Sequence, residues 1–236
     1  MKILCLDSAT ESATAAILDD DKLLGEITFN YKKQHSVIMM PMIDDLLKNN
    51  ELTINDIDGF VVSRGPGSFT GLRIGMATIK GLVQAHKKPF VTVCTLDALA
   101  NSLPFAEGII CPIMDALRGN VFTNFYKFKD NELVSIEEPS LLSIEELMEK
   151  VKLFNEKVYF IGDGTNKFKD ILLNSLENIY FAPPHLNLVK ASSLGELGMK
   201  ILKKGFSEDI FTSAPIYLRV SQAEREYEEK MSKHND

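Results

Sequence analysis

The chain has 236 residues, 45% of them hydrophobic and 25% charged, which are the proportions of a globular protein large enough for one large domain or two small ones. Its formal net charge of −7 argues against a protein that binds nucleic acid by itself, because phosphate binding requires a basic surface. No apolar run has the length of a membrane span, no signal peptide precedes the first strand, and the three cysteines form no Cys-x-x-Cys motif, so we expect a cytoplasmic protein with reduced thiols.

The beginning of the chain predicts a meander of three strands. Asp7 comes at the end of the first strand, and Ser8 and Thr10 follow it in a turn rich in hydroxyl groups. A carboxylate in this position can hold a metal–phosphate group while the hydroxyls contact phosphate oxygens; alternatively, Asp7 caps its own turn through an Asx hydrogen bond. The three strands are predicted at residues 2–6, 14–18 and 23–29.

Residues 35–49 predict a helix that has more apolar side chains than one face can bury. One side would pack on the core, and the remainder, rich in methionine, would contact a partner protein. Pro41 predicts a bend in this helix, because proline beyond the first turn removes a backbone hydrogen bond. His35, at its start, is predicted to be a capping or surface residue rather than a metal ligand.

A strand at residues 59–62 leads through a loop of glycines and a proline into a second helix, which is predicted to reach about His86. Ser68 is the predicted N-cap of this helix. The loop that begins at Gly65 fits neither the phosphate-binding pattern Gly-x-x-x-x-Gly-Lys-Ser/Thr nor the dinucleotide-binding pattern Gly-x-Gly-x-x-Gly. It is therefore either a tight structural turn or a ligand contact of another kind.

Gly71, Gly75 and Gly81 give the second helix a stripe with almost no side chains. Each glycine in a helix costs about 1 kcal/mol relative to alanine, so the stripe indicates that another backbone packs closely against it. We expect this backbone to be a helix of a partner protein. The alternative is that the stripe packs against the chain's own sheet.

From residue 107 the order of elements seen at the start of the chain repeats. Asp115 ends a strand, as Asp7 does, and Gly162-Asp-Gly-Thr165 is a second glycine-rich turn before a helix. We therefore predict an α/β fold of two duplicated βββαβα lobes, at residues 1–105 and 106–220, with a charged tail at 221–236. The remaining predicted strands are 89–93, 108–114, 121–128, 133–136, 158–161 and 179–181, and the remaining helices are 95–100, 143–152, a helix from about 166, and 191–204.

Two lobes of this kind, each with an aspartate after its first strand, resemble the actin, sugar-kinase and Hsp70 superfamily, which implies a ribonuclease H-like, actin-like ATPase fold. The segment Gly65-Pro-Gly-Ser-Phe-Thr-Gly-Leu-Arg-Ile-Gly75 is similar to the signature of the bacterial TsaB (YeaZ) family. The same family is matched by His35-Ser36 with Met40-Pro41, by Asp115-Ala116, and by Ala214-Pro-Ile-Tyr-Leu-Arg219. Leu117 departs from the family, which usually has arginine there, and this weakens any anion site on that loop.

The resemblance implies a non-catalytic subunit. TsaB-like proteins pair with a paralogue, TsaD, which transfers threonylcarbamoyl to adenosine 37 of tRNAs that read codons beginning with A, and an ATPase, TsaE, joins them. ATP and a metal are then expected on the partner subunits and none on this chain, which would meet tRNA only through the complex. In TsaD a His-x-x-x-His helix binds the metal; the matching segment here, Thr95-Leu-Asp-Ala-Leu99, has no histidine, so neither catalytic nor metal-binding residues are expected.

The helices at 35–49 and 69–86 are expected to dock TsaD, and the same helices would support a weak homodimer. Two other function classes stay open. One is an ATP-dependent phosphotransferase that uses Asp7 and Asp115 around a magnesium nucleotide, with Ser8 and Thr10 as residual nucleotide contacts. The other is a metallopeptidase, for which the four histidines are too scattered. The expected interface residues are His35, Met39, Met40, Ile43, Phe69, Gly71, Leu72, Arg73, Gly75 and Met76.

Overall fold

The structure is a computed structural model that describes residues 1–30 and 34–219. This part of the chain contains two mixed β-sheets covered by helices, which confirms the predicted α/β class. The first sheet has the strand order β3-β2-β1-β4-β5, with β1 parallel to β4 and antiparallel to β2. Its elements are β1 (Lys2–Asp7), β2 (Ala13–Asp19), β3 (Lys22–Phe29), α1 (His35–Asn49), β4 (Gly59–Gly65), α2 (Phe69–His86), β5 (Phe90–Cys94) and α3 (Thr95–Ala100).

The second sheet repeats this order as β10-β7-β6-β11-β12 and carries a hairpin, β8–β9, off its path. The duplication is therefore present, but the strand equivalent to β3 is β10 and not the predicted strand at 133–136, which lies in the hairpin. Its elements are β6 (Ile109–Asp115), β7 (Asn120–Thr123), β8 (Tyr126–Lys129), β9 (Glu132–Ser135), β10 (Ser140–Ser143), α4 (Ile144–Lys152), β11 (Val158–Ile161), α5 (Thr165–Ser175), β12 (Ile179–Phe181) and α6 (Ala191–Lys203).

The predicted single strand at 121–128 is broken between β7 and β8 by Asn124 and Phe125. The Asn124 carboxamide accepts the Phe125 N–H at 2.8 Å and donates to the Ser135 hydroxyl at 2.8 Å. These bonds replace ladder hydrogen bonds with local ones, so the chain leaves the first ladder and turns into the hairpin.

Helix α6 follows the second sheet in the sequence but packs against the first. A Cβ atom at Gly198 would lie 2.5 Å from the Val61 methyl groups of β4, so glycine is needed for this close packing. At its N-terminal end, the Ser192 N–H and hydroxyl donate to the Glu26 carboxylate at 2.8 and 2.9 Å. The region predicted as the second lobe, 106–220, therefore contributes a helix to the first sheet. The predicted charged tail at 221–236 lies outside the described residues.

Helix α1 buries most of its apolar surplus within the chain. Only Val37 and Met40 among its large apolar side chains are exposed, to 64% and 51%. Met39 and Ile43 are 1% and 2% exposed, so the prediction that they form a partner interface is wrong. The helix continues through Pro41, which lies on its exposed side. Its buried side chains are Ile38, Met39, Met42, Ile43, Leu46 and Leu47.

The glycines of α2 pack against the turn between β1 and β2. A Cβ atom at Gly71 would lie 2.0 Å from the Ser8 carbonyl oxygen, and one at Gly75 would lie 2.5 Å from the Ser8 hydroxyl. Gly67, in the loop before the helix, meets the Ala9 carbonyl in the same way, at 2.3 Å. The close backbone contact is thus confirmed, but the backbone belongs to this chain and not to a partner helix.

The remaining members of the predicted interface on α2 divide between the core and the surface. Leu72 and Met76 are 1% and 4% exposed, so they are core residues, and placing them at a partner surface was wrong. Gly81 differs from Gly71 and Gly75: it is exposed, and a Cβ atom there would meet no described atom within 4 Å.

Among residues 1–30 and 34–219, none of the helices combines the length and hydropathy that a membrane span requires.

The two kinds of glycine in α2 should respond oppositely to the same substitution. We expect Gly71→Ala to lower the free energy of unfolding by about 1–3 kcal/mol, because the added methyl group meets the backbone of Ser8. Gly81→Ala should raise it by up to about 1 kcal/mol, because the helix gains propensity without a clash. Urea unfolding of both variants measures this; equal stability of the two would contradict the packing.

Candidate functional site

An open cleft of about 930 Å³ lies between the two sheets, which is within the size range of small-molecule sites. The β1–β2 turn and the first turns of α1 and α2 form one wall. The β6–β7 turn and the first turn of α5 form the other, and residues 216–219 close one side. The polar and aromatic residues that line the cleft include Thr10, Glu11, His35, Ser68, Phe69, Asp115, Asp163, Lys167, Tyr217 and Arg219.

Asp7 lies beneath this cleft and is completely buried. Its Oδ1 atom accepts the Ala9 N–H at 3.2 Å, which is the Asx hydrogen bond of a self-capped turn. Burial raises the pKa of Asp7 to about 6, opposed by the neighbouring Ser63 hydroxyl and the Ala9 N–H. Neither Oδ2 nor the Ser63 hydroxyl makes a hydrogen bond of good geometry to another described residue, and both atoms are shielded from solvent.

The first turn of α2 seals Asp7 off from the cleft. The Ser68 N–H donates to the Ala9 carbonyl at 2.6 Å, and the Ser8 hydroxyl donates to the Gly71 carbonyl at 2.8 Å. Ser8 is therefore bound to α2, and the prediction that it contacts phosphate is wrong for this arrangement. Thr10 does line the cleft, where its carbonyl oxygen accepts a 2.9 Å hydrogen bond from His35 Nε2.

The wall from the second sheet is acidic. Asp115 is partly exposed and pairs with Lys167 Nζ at 3.0 and 3.2 Å. The Asp115 N–H donates to Asp163 at 3.0 Å, and burial raises the pKa of Asp163 to about 6, with Asp115 and Glu11 raising it further. The structure therefore brings Asp115 to the cleft but places Asp7 below it, and Lys167 and Arg219 line the cleft together with the carboxylates.

Asp163 lines the cleft but was not among the predicted site residues. The sequence feature that could have identified it is its position between two glycines, directly after strand β11. Both glycines are required there, because Cβ atoms at Gly162 and Gly164 would lie 2.4 and 2.9 Å from the Ile113 carbonyl oxygen. Gly162 also has a φ of +111°, which disfavours any other residue. The turn thus fixes Asp163 beside Asp115, as β6 and β11 are adjacent and parallel.

The segment that the family resemblance aligned with a His-x-x-x-His helix is α3. Thr95 and Leu99, at the two histidine positions, are 0% and 1% exposed. Asp97, between them, accepts a 2.6 Å hydrogen bond from the Tyr126 hydroxyl across the two lobes. Within the described part of the chain, no group of three or more His, Cys, Asp or Glu side chains has an arrangement suited to a metal ion.

Two of the predicted interface residues, His35 and Phe69, lie at the cleft and not on the outer surface. The Phe69 ring stacks on Tyr217 with centroids 4.2 Å apart. Met40 and Arg73 are exposed on α1 and α2, as expected of interface residues. The sequence assigned no role to Tyr217, because its contact with Phe69 depends on a return of the distant C-terminal segment.

Comparisons with known proteins agree with this architecture. Residues 22–227 match the family model described as TsaD, tRNA N6-adenosine threonylcarbamoyltransferase. The tRNA threonylcarbamoyladenosine biosynthesis protein TsaB of Bacillus subtilis (strain 168) is 32% identical over 96% of this chain and 98% of the relative. The Escherichia coli (strain K12) protein of the same name is 26% identical over 93% of this chain and 95% of the relative. The solved structure of YeaZ from Pseudomonas aeruginosa superposes with a TM-score of 0.79 at 22% identity, covering 92% of this chain and 99% of that one, which confirms the fold.

The raised pKa of Asp7 predicts a pH dependence of stability. Its folded value of about 6 lies above the ordinary 3.8, so folding favours the protonated form. This contribution is fully present below pH 3.8 and is lost as the pH rises through 6, which amounts to about 3 kcal/mol. We expect Asp7→Asn to flatten the dependence of unfolding free energy on pH between 4 and 6.

Urea unfolding at several pH values in this window measures the effect. Asp170→Asn, which changes an exposed aspartate of α5, is the control and should leave the slope unchanged. If the unfolding free energy of Asp7→Asn had the same slope against pH as that of the unmodified protein, the raised pKa of the buried Asp7 carboxyl group would be contradicted.

Proposed function

Because the chain belongs to the TsaB family of tRNA threonylcarbamoyladenosine biosynthesis proteins, we propose that it is the non-catalytic subunit that pairs with a TsaD-type paralogue in this pathway. The paralogue transfers threonylcarbamoyl to adenosine 37 of tRNAs that read codons beginning with A. A TsaE-type ATPase completes the assembly, which works in the cytoplasm. The observation that supports the proposal is an exposed apolar surface on α1 and α2, in a chain whose Asp7 is buried and does not line the cleft.

The sealed site supports a non-catalytic role. A metal–phosphate group cannot reach Asp7 while Ser68 and Gly71 hold the Ser8–Ala9 turn against α2. The two positions that match histidines in TsaD are a buried threonine and a buried leucine, which supply no imidazole ligand. These observations support the proposal that a catalytic metal and ATP are bound by the partner subunits and not by this chain. The same facts disfavour the phosphotransferase and metallopeptidase alternatives.

The docking surface is formed by the outer sides of α1 and α2, which pack side by side over the first sheet. Val37, Met40 and Pro41 are exposed on α1, and Ala77 and Gly81 are exposed on α2. Small residues on α2 let a partner helix approach closely, while flexible methionine and valine side chains fill the contact. We propose that a second copy of the chain would use the same face to form a weak homodimer.

tRNA binds the complex rather than this subunit in our proposal. The net charge of −7 opposes independent binding to a polyanion. The apolar character of the α1–α2 surface suits a protein partner instead.

Reconstitution of the transfer reaction tests the proposal. The purified chain, its TsaD-type and TsaE-type partners, ATP, threonylcarbamoyl donor and tRNA are combined in all subsets. We expect no modified adenosine from this chain alone and a large gain when it joins the TsaD-type protein. Product formed by this chain without the paralogue would overturn the non-catalytic assignment.

Two surface variants in the same assay locate the docking face. Met40→Glu should weaken binding to the TsaD-type protein at least about tenfold, because a charge would be buried in an apolar contact. Leu153→Glu changes a side chain that is 80% exposed after α4, on the other lobe, and should have no effect. Equal binding by the two variants would show that the partner docks elsewhere.

A further inference from the structure

Arg73 is a charged side chain on α2 without a carboxylate partner in residues 1–30 and 34–219. It is exposed, in a protein whose net charge is −7. Acidic groups are therefore plentiful in this chain, yet none of the described ones neutralises this guanidinium.

The guanidinium of Arg73 is nevertheless held in one orientation. Its Nε–H donates to the Tyr217 hydroxyl at 3.0 Å, and its central carbon lies 4.0 Å from the centre of the Phe69 ring. Tyr217 in turn stacks on Phe69 with an interplanar angle of 29°. Nε–H donation and ring stacking leave the two terminal nitrogens as a planar fork, the geometry that binds a carboxylate with two hydrogen bonds.

Tyr217 is itself fixed by the segment 206–219, which crosses back over the first lobe. The Ile216 N–H donates to the Arg64 carbonyl at 2.7 Å, and Lys80 of α2 donates to the Ser213 carbonyl at 2.6 Å. Tyr217 therefore belongs to a segment whose backbone is hydrogen-bonded to the first lobe at these points, and this segment fixes the orientation of Arg73. An arginine ordered before binding loses less entropy when a partner contacts it.

Arg73 stands in line with the small residues of the docking surface. Arg73, Ala77 and Gly81 are spaced at i, i+4 and i+8 and are all exposed, so they form one stripe along α2. The guanidinium lies against Phe69 and Tyr217 at the cleft end of this stripe, so a partner helix would have to extend along α2 to that end to contact it. An acidic side chain of that helix, one or two turns from its contact with Ala77 and Gly81, would then meet the two terminal nitrogens of Arg73.

We propose that Arg73 binds a carboxylate on the docking helix of the TsaD-type partner, and that Tyr217 and Phe69 are the positioning residues that orient it. This inference rests on the proposed function and deepens it by naming the charged contact. A tRNA phosphate is the other anion that an arginine fork accepts. The protein partner is favoured because the rest of the stripe is small and uncharged, whereas a phosphate site needs further cations.

Binding of Arg73→Ala, Arg73→Lys and Tyr217→Phe to the purified TsaD-type protein tests the proposal. We expect Arg73→Ala to weaken binding at least about tenfold, as a central arginine contact does. Arg73→Lys should lose most of the same affinity, because lysine cannot form the planar fork. Tyr217→Phe keeps the ring stack but removes the hydroxyl, and should weaken binding about threefold or more while leaving the melting temperature unchanged.

The double variant distinguishes positioning from a structural role. If Tyr217 acts through Arg73, Tyr217→Phe should have no further effect on binding once Arg73 is alanine. Additive losses would overturn the positioning role. Arg118→Ala, which removes an exposed arginine of the β6–β7 turn, is the control and should bind normally.

The outcomes separate this inference from the function on which it rests. If the unmodified chain does not bind the TsaD-type protein, the proposed function fails and the inference with it. If it binds but Arg73→Ala binds equally well, only the inference is overturned. If Arg73→Ala lowers tRNA binding by the assembled complex without changing the affinity between the two proteins, the anion is a phosphate and the inference is likewise wrong.

Discussion

The close contact between the first turns of α2 and the Ser8–Ala9 turn determines how the two sides of this molecule are used. Three glycines, at 67, 71 and 75, bring the α2 backbone within contact distance of that turn, and any side chain there would overlap its atoms. The hydrogen bonds from Ser8 to Gly71 and from Ser68 to Ala9 then hold the two segments together. The glycines that look like a ligand loop thus serve the packing of the chain itself.

This contact has a chemical consequence and a geometric one. Chemically, it covers Asp7 and leaves a buried carboxyl group whose pKa burial raises to about 6. Geometrically, it fixes the rotation of α2 about its axis. Because Gly71 and Gly75 face inward, Arg73, Ala77 and Gly81 face outward on α2. The burial of Asp7 and the presentation of an external surface therefore follow from one packing arrangement.

The sequence could predict those features of the structure that depend on residues close together in the chain. Ser68 was recognised as a helix cap because a cap depends on its own few residues, and its hydroxyl accepts the expected Gly71 N–H. The order of strands and helices, and the duplication, also followed from hydrophobic patterns. Strand β10 was missed because it has only four half-buried residues, and it is a strand through its pairing with β7.

Features that depend on distant contacts could not be predicted. The glycine stripe showed that something packs against α2, but propensity does not reveal whether the neighbour is the Ser8 carbonyl or another protein. Methionines 39 and 40 are adjacent and chemically identical, yet one is buried and the other exposed, because only the rotation of α1 distinguishes them. Tyr217 reaches Arg73 across 144 positions of sequence, and no local pattern marks such a contact.

The central claim is that the outer face of α1 and α2 binds the partner while the inner face stays packed within the chain. Methionine oxidation by peroxide, read by mass spectrometry with and without the TsaD-type protein, tests it directly, since Met40 is 51% exposed whereas Met39, Met42 and Met76 are 1%, 1% and 4% exposed. We expect fast oxidation of Met40 in the free chain, strong protection of Met40 in the complex, and slow oxidation of the other three methionines in both. Unchanged oxidation of Met40 in the complex would contradict it.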